Sequence, residues 1–549
     1  MDGLIVRWMD GYISIVAIES FVIFSLSDQP IMARCLFQTR GAMTLLFVTV
    51  FCYMVLVHNC RFVPRDCPEQ CECSSCWPIV HCDGRNVTHL NFSQSLTWVR
   101  IFSVSHTSIP DLQMGTLTLP TIAGVGSLEM IANGITTLTE ELFAMNYSRL
   151  QSISLQQNKL STVPTRMMRL APNLGNIDLS GNMITVIHLY AFTFNNDLNV
   201  ILLADNGLQT IEEMAFTGVT ELRTLNLSYN SIMGTNLGNW EEFHTSIETI
   251  SLSGNGLRQM PTLNPNYKFS CKYLSLEHNH FEALDKFALA AFENLTLLNV
   301  ENNSLSTVDG DLFGEGTHDL VMLYLSRNHL TSVPVSLLAR LPKLLNLSLS
   351  FNHIATLSSK AFVKNKMLRW IQLDHNMITI VHAMSLNGLD NILYFNIQHN
   401  LLTGLPETFL KGMYEFDLIL KDNMWSCDCA MKSLQEWFLK NAIENDVQCQ
   451  IPAEYQGRNV TDVNFEEICE KEEESTATEE IPTNPMLRIN FRYFLIGGGV
   501  VVLLILIVAA GSCRRKLRTQ TDRDTPLCKK ELNVENVSTI NSSTFSNEI

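Results

Sequence analysis

Apolar residues along most of this chain follow neither a single helical nor a single strand period; they recur in a longer unit. The pattern L-x-x-L-x-L-x-x-N returns again and again, as Leu174, Ile177, Leu179, Asn182, then Leu198, Ile201, Leu203, Asn206, then Leu222, Leu225, Leu227, Asn230. The closing position falls at Thr107, Asn133, Asn158, Asn182, Asn206, Asn230, Asn255, Asn279, Asn303, Asn328, Asn352, Asn376, Asn400 and Asn423, giving 14 units spaced 23 to 26 residues apart. Alternation at the second and third apolar positions predicts a short strand with one face inward and one in solvent. Successive strands should stack in parallel, about 4.8 Å apart. The asparagine should turn inward as the chain leaves the strand, where its amide can satisfy backbone groups left by the turn. A phenylalanine often follows ten residues later (Phe143, Phe192, Phe216, Phe313, Phe362) and is expected to fill the space behind the strand. One unit cannot bury its own apolar face, so stability must come from its neighbours.

An array of this kind exposes apolar ends unless they are capped. At the front, Cys67, Cys71, Cys73 and Cys82 are spaced C-x3-C-x-C-x8-C; at the back, Asn423-Met424-Trp425-Ser426-Cys427-Asp428-Cys429 is followed by Leu434, Trp437, Cys449 and Cys469. Spacing alone leaves three connectivities per cap, and zinc is a competing use of such cysteines. Repeat and caps together resemble extracellular leucine-rich-repeat receptors and adhesion proteins over roughly residues 67–470. Met424 stands where that family usually has proline. The resemblance implies an α/β leucine-rich-repeat solenoid, a curved horseshoe with short parallel strands on its concave face. It also implies disulfides Cys67–Cys73, Cys71–Cys82, Cys427–Cys449 and Cys429–Cys469. Cys271 occupies a first leucine position and is expected to be a buried, inert thiol. Cys60 and Cys76 remain, either paired with each other or with Cys60 free for intermolecular bonding.

Two further apolar segments set an expected topology. Met43 to Val57 follows Arg34 and Arg40 and has the length of a signal-peptide core, with cleavage expected near His58 and translation effectively starting at Met32. An N-terminal membrane anchor at Tyr12 to Leu26 is the alternative reading. Tyr493 to Gly511 has no charge in 19 residues; at 1.5 Å per residue it spans about 28 Å, near the ~30 Å hydrocarbon core. Arg514, Arg515, Lys516 and Arg518 follow it and place the C-terminus in the cytoplasm. The expected partition is an extension and signal peptide at 1–59, a cysteine-rich N-cap at 60–90, repeats at 91–423 and a C-cap at 424–469. An acidic stalk at 470–492, a transmembrane helix at 493–511 and a disordered cytoplasmic tail at 512–549 complete it. The expected location is the plasma membrane, single-pass, N-terminus outside.

Charge changes this picture little. The net charge of −17 excludes a basic nucleic-acid-binding face, and the eight glutamates and one lysine between Glu466 and Glu480 read as a self-repelling linker. The tail, rich in serine and threonine, has only 38 residues, so a signal would pass through a recruited adaptor. Cys513 is a palmitoylation candidate, and the terminal Ser546-Asn547-Glu548-Ile549 is a weak match to ligands of PDZ domains. No nucleophile elbow, H-E-x-x-H, phosphate loop or EF-hand loop occurs, and neither an enzyme nor a cofactor is expected. Layout is most similar to adhesion receptors of the Tartan/Capricious type; Toll-like receptor ectodomains share the solenoid and are less similar. The resemblance implies adhesion or recognition through a protein ligand or a like molecule, with innate-immune recognition and a purely structural surface glycoprotein as alternatives.

Register places the residues between the strand leucines on the concave face. In the first half these are small or polar: Ser152, Ser154, Gln156, Asp178, Ser180, Thr249, Ser251, Ser253. From Tyr273 on they become aromatic and charged, including Glu277, His278 and Phe351. The candidate ligand-binding residues are Tyr273, Tyr324, Arg327, Trp370, Asp374, His375, Tyr394 and His399, since Tyr, Trp and Arg are enriched in binding hot spots. Glycosylation candidates are Asn86, Asn91, Asn146, Asn226, Asn294, Asn302, Asn346 and Asn459, with Asn226 and Asn346 on concave strands and Asn302 at their edge. They leave one window near Tyr273 and Tyr324 and a second, denser in aromatics, from Trp370 to His399. His375 and His399 precede the closing asparagine in adjacent repeats and are expected side by side, about 4.8 Å apart.

Overall fold

The computed structural model describes residues 71–74, 79–84, 99–107, 124–138, 147–261, 263, 264, 266–314, 318–410, 416–441 and 445–470. Its main sheet has sixteen strands in sequence order, from Glu72–Ser74 through to Asp417–Ile419. The first pair, Glu72–Ser74 with Ile79–Asp83, is antiparallel; every later neighbour is parallel and in matching register. This is the solenoid of leucine-rich repeats that the periodicity predicts. Behind the main sheet, two-residue strands such as Val186–Ile187 with Thr210–Ile211 pair in the same parallel sense. The segment 493–511 expected to span a membrane, the expected signal segment and tail, Cys60, Cys76 and Cys513 lie outside the described residues. No helix among the described residues is long and apolar enough to cross a membrane.

The closing asparagine does more than tidy its own turn. Asn182 Oδ1 accepts the backbone N–H of Leu160 in the preceding repeat (3.0 Å), while its Nδ2 donates to Leu155 O of that repeat and to its own Leu179 O (2.9 Å each). The same three bonds recur at Asn206, Asn279, Asn303, Asn352, Asn376 and Asn400. One primary amide thus stitches two repeats together where neither sheet nor helix reaches. Phenylalanines form a second seam behind the sheet: Phe192 stacks on Phe216 at 5.6 Å, and Phe216 meets Phe243 edge-on at 5.5 Å. Phe362 is fully buried, Phe313 is half-buried, and Phe143 lies outside the described residues.

Two buried asparagines escape the repeat pattern. Val163-Pro164 and Val333-Pro334 each start a short helix, Thr165–Arg169 and Val335–Leu338, because proline fits just ahead of a first turn. The carbonyls in and just after these turns accept one backbone N–H each and have room for a second donor. Asn195 Nδ2 reaches Met168 O and Ala171 O (3.1 and 2.6 Å), and Asn365 Nδ2 reaches Leu338 O and Leu341 O (2.9 and 2.8 Å).

Both caps close with disulfides. Cys71–Cys82, Cys427–Cys449 and Cys429–Cys469 are bonded as the resemblance implies. Cys73 is also disulfide-bonded, while Cys67 lies outside the described residues. At the back, Trp425 is wholly buried against the last repeat and donates Nε1–H to Leu420 O (3.0 Å). The helix Lys432–Asn441 lays Leu434, Trp437 and Phe438 over it. Cys271 is a buried free thiol whose pKa burial pushes up to about 12, which makes it inert.

His318 gives the array a pH-dependent element. Its ring is buried against Phe313 (centroids 4.3 Å), Nε2–H donates to Phe292 O at 2.9 Å, and Nδ1 has no partner among the described residues. Burial holds its pKa below the usual imidazole value. Below about pH 6.5 the unfolded chain therefore takes up a proton that the folded chain refuses. Stability should fall as pH drops through that window, and part of the slope of melting temperature between pH 7.5 and 5 should vanish in His318→Phe. An unchanged slope would remove His318 from the pH response.

Candidate functional site

Strand geometry sets out parallel rows of side chains on the solvent face of the main sheet, one residue per repeat. The row of first strand positions reads Tyr273, Leu297, Met322, Asn346, Trp370, Tyr394, Asp417, each the register partner of the next. Every side chain from Leu297 to Tyr394 is half-exposed. Trp370 and Tyr394 lie face to face, ring centroids 3.8 Å apart and planes 10° from parallel.

A second row runs along the edge where the chain leaves each strand. The residue before every closing position has a positive φ, including His278, Asn302, Arg327, Phe351, His375, His399 and Asp422. Left-handed backbone is uncommon for residues with a Cβ, so this row is held by the inter-repeat bonds around it. At Gly254 (φ +65°) the requirement is doubled, since a Cβ there would sit 2.5 Å from the Tyr229 ring. The shared conformation aims the side chains in one direction, so they stack. The Arg327 guanidinium lies 4.2 Å from the Phe351 centroid, Phe351 stacks on His375 at 4.0 Å and 10°, and His375 meets His399 at 4.2 Å. Asp422 closes the column, 3.4 Å from His399 Nε2. The two histidines are therefore adjacent as register predicts, although the flanking Arg327–Phe351 and Asp422 contacts were not anticipated.

Asp374 belongs beneath this surface rather than on it. It is buried, and its carboxylate accepts Ser350 Oγ (2.5 Å) and Asn396 Nδ2 (3.3 Å) and faces His375 Nδ1 (2.9 Å). Its work is to orient His375. The structure gathers Arg327, Phe351, His375 and His399 into one column and Trp370 with Tyr394 into a second pair. It leaves Tyr273 and Tyr324 apart, at different strand positions with the strand Leu297–Asn299 between their own. Between those tyrosines lie Glu277, which accepts Asn299 Nδ2 at 2.6 Å, and Glu301. Burial first, and then the neighbouring Glu277 charge, push the Glu301 carboxyl above the usual carboxylate range, against a hydrogen bond from Ser326. Tyr324 is half-buried and its phenol is likewise raised by burial. In the polar first half, Gln156 bonds Asp178 and Ser253 bonds both Ser251 and Ser275, while the buried Ser154 Oγ has no partner among the described residues.

Of the glycosylation candidates, Asn226 and Asn346 stand on main-sheet strands, Asn302 on the edge row, and Asn294 is exposed. Asn459 spends its Nδ2 on Asn445 O (2.9 Å). Asn86, Asn91 and Asn146 lie outside the described residues.

Comparison with known proteins agrees with the repeat. A family model described as leucine rich repeat matches residues 172–232 and 318–378. Podocan-like protein 1 of Homo sapiens is 27% identical over 280 residues, 49% of this chain and 51% of that protein. Toll-like receptor 9 of Ovis aries is 27% identical over 332 residues, 47% of this chain and 32% of the receptor. The chain spans about half the length of the curated relatives it matches, 51% and 46% for two podocan-like proteins. Among solved structures, the mouse RP105/MD-1 complex aligns with a TM-score of 0.48 and 21% identity, over 67% of this chain and 58% of that one.

Proposed function

We propose that this chain is a cell-surface recognition receptor that holds a protein ligand, or a like molecule on a facing cell, against the solvent face of its main sheet. The observation that carries this reading is the stacked aromatic surface made by Trp370 with Tyr394 and by Arg327, Phe351, His375 and His399. Aromatic and arginine side chains dominate protein-binding hot spots because they offer large rigid area at low entropic cost. Here stacking has already fixed their rotamers, so little further ordering is lost on binding. In this reading 493–511 is a single transmembrane span, the chain is type I at the plasma membrane, and the short tail works through an adaptor. A layout of the Tartan/Capricious adhesion type fits that arrangement. Innate-immune recognition is the second reading, favoured by the likeness to Toll-like receptor 9.

The repeat itself does not choose between these, since one solenoid serves many functions. Mixing non-adherent cells that express the full chain with differently labelled cells that do not should choose. Clusters made only of expressing cells are expected for a like-molecule partner, and mixed clusters for a distinct ligand. Dispersed expressing cells that instead capture microbial material would overturn adhesion in favour of the immune reading.

A further inference from the structure

The row of first strand positions is apolar or aromatic from Tyr273 to Tyr394 except at one place. Asn346 interrupts it, and Asn346-Leu347-Ser348 is a glycosylation sequon. Trp370 and Tyr394 stand on neighbouring strands with their rings nearly parallel, so they stack in the direction that crosses the sheet. Tyr394 therefore covers one indole face of Trp370, and the other face is turned toward the next strand over, where its register partner is Asn346. On the far side of Asn346 the register partner is Met322. The Tyr324 hydroxyl donates to Met322 Sδ at 3.6 Å. The strands bearing Met322 and Trp370 are two spacings apart, about 9.6 Å. Asn346 thus stands between Met322 and Trp370, half-exposed and with a side chain shorter than either neighbour.

We infer that Asn346 carries an N-linked glycan whose first N-acetylglucosamine packs on the free face of Trp370. The inference rests on the reading above that this sheet lies outside the cell, reached through a glycosylating compartment. There the oligosaccharide is transferred from a lipid pyrophosphate donor. The bond from asparagine Nδ2 to sugar C1 forms as the C1–phosphate oxygen bond breaks, Nδ2 gives up one proton, and the lipid pyrophosphate departs. A β-linked pyranose presents a flat face of polarised C–H groups, which is what the negative face of an indole attracts. Asn226, the other sequon on the main sheet, has Leu202 and Ser251 as register partners and offers no such wall. The sugar would complete the apolar ridge and form the border of the recognition surface, leaving the indole edge of Trp370 with Tyr394, Phe351, His375 and His399 to meet the partner.

The test uses the full chain made in secretory cells. Glycans are released under native conditions by an amide-cleaving glycosidase in heavy-oxygen water, and the labelled aspartates are followed by peptide mass spectrometry. Exposed Asn294 serves as the reference. Both sites are expected to be occupied, with release at Asn346 roughly two- to tenfold slower than at Asn294, the range of one aromatic contact. Trp370→Ala should bring the Asn346 rate up toward that of Asn294 without changing Asn294, and Trp370→Phe, which keeps a ring, should fall between. Asn346 unmodified beside a modified Asn294, or an Asn346 release rate indifferent to Trp370→Ala, overturns the inference. If no sequon is modified, the cell-surface reading itself is what fails.

Discussion

Asn352→Ala is expected to destabilise the solenoid by about 1–3 kcal/mol, the cost of leaving one buried polar group unpaired. The wild-type amide accepts from Leu330 N (3.0 Å) and donates to Leu325 O (3.0 Å) and Leu349 O (3.1 Å), and the site is buried. Alanine leaves the buried Leu330 N–H without its acceptor, while Leu325 O keeps Asn328 Nδ2 (3.1 Å) and Leu349 O keeps Asn376 Nδ2 (2.9 Å). The damage should also be local in kind. Repeats interact only with their neighbours, so the break separates an N-terminal from a C-terminal block and denaturation should lose its single transition. Asn352→Asp keeps the acceptor and loses both donors, and should fall between alanine and wild type. Circular dichroism during urea titration reads all three. Equal midpoints would mean that sheet and core alone hold the repeats together.

Cys429→Ser is the second large effect, about 2–5 kcal/mol, the usual cost of losing a native disulfide. The Cys429–Cys469 bond closes a loop of sequence separation 40 around the helix Lys432–Asn441, whose buried face covers the end of the last repeat. With the bond gone, the cap is held by Cys427–Cys449, by Trp425, and by Gln435 Nε2 donating to Val460 O (2.9 Å) and Val463 O (2.7 Å). Opening it exposes Trp437, Phe438 and the apolar floor beneath. A secretory pathway should retain such a protein, read as loss of surface signal at equal synthesis. Normal surface levels of Cys429→Ser would show that the remaining contacts suffice.

These two sites also show what could be read from the sequence. Asn352 sits in a pattern that repetition makes plain and Cys429 in a recognisable cap motif; register correctly set His375 beside His399, while Trp370 and Tyr394 were read only as members of one window. Depth was less legible. Asp374 alternates like a surface residue, yet Ser350, Asn396 and His375 draw its carboxylate inward. The edge row carried a faint signal in Gly181, Asp205, Gly254, Asn302 and Asp422, residue types that tolerate positive φ. Phe351 and Arg327 hid it, because neither prefers that conformation. Asn195 and Asn365 were missed for another reason: the carbonyls they bond lie in or just after helices of four or five residues, too short for periodicity to find.

The proposed recognition surface is the solvent face of the sheet around Trp370 and Tyr394. Both side chains are half-exposed and neither belongs to the buried core, so Trp370→Ala with Tyr394→Ala should leave melting temperature and surface level nearly unchanged. A hot spot of this kind should carry about 2–4 kcal/mol of binding. The direct measurement is the fraction of expressing cells found in clusters, for wild type and the double variant at matched surface density. A collapse of clustering in the double variant is the predicted result. Equal clustering by the two proteins would contradict it and move recognition away from this face.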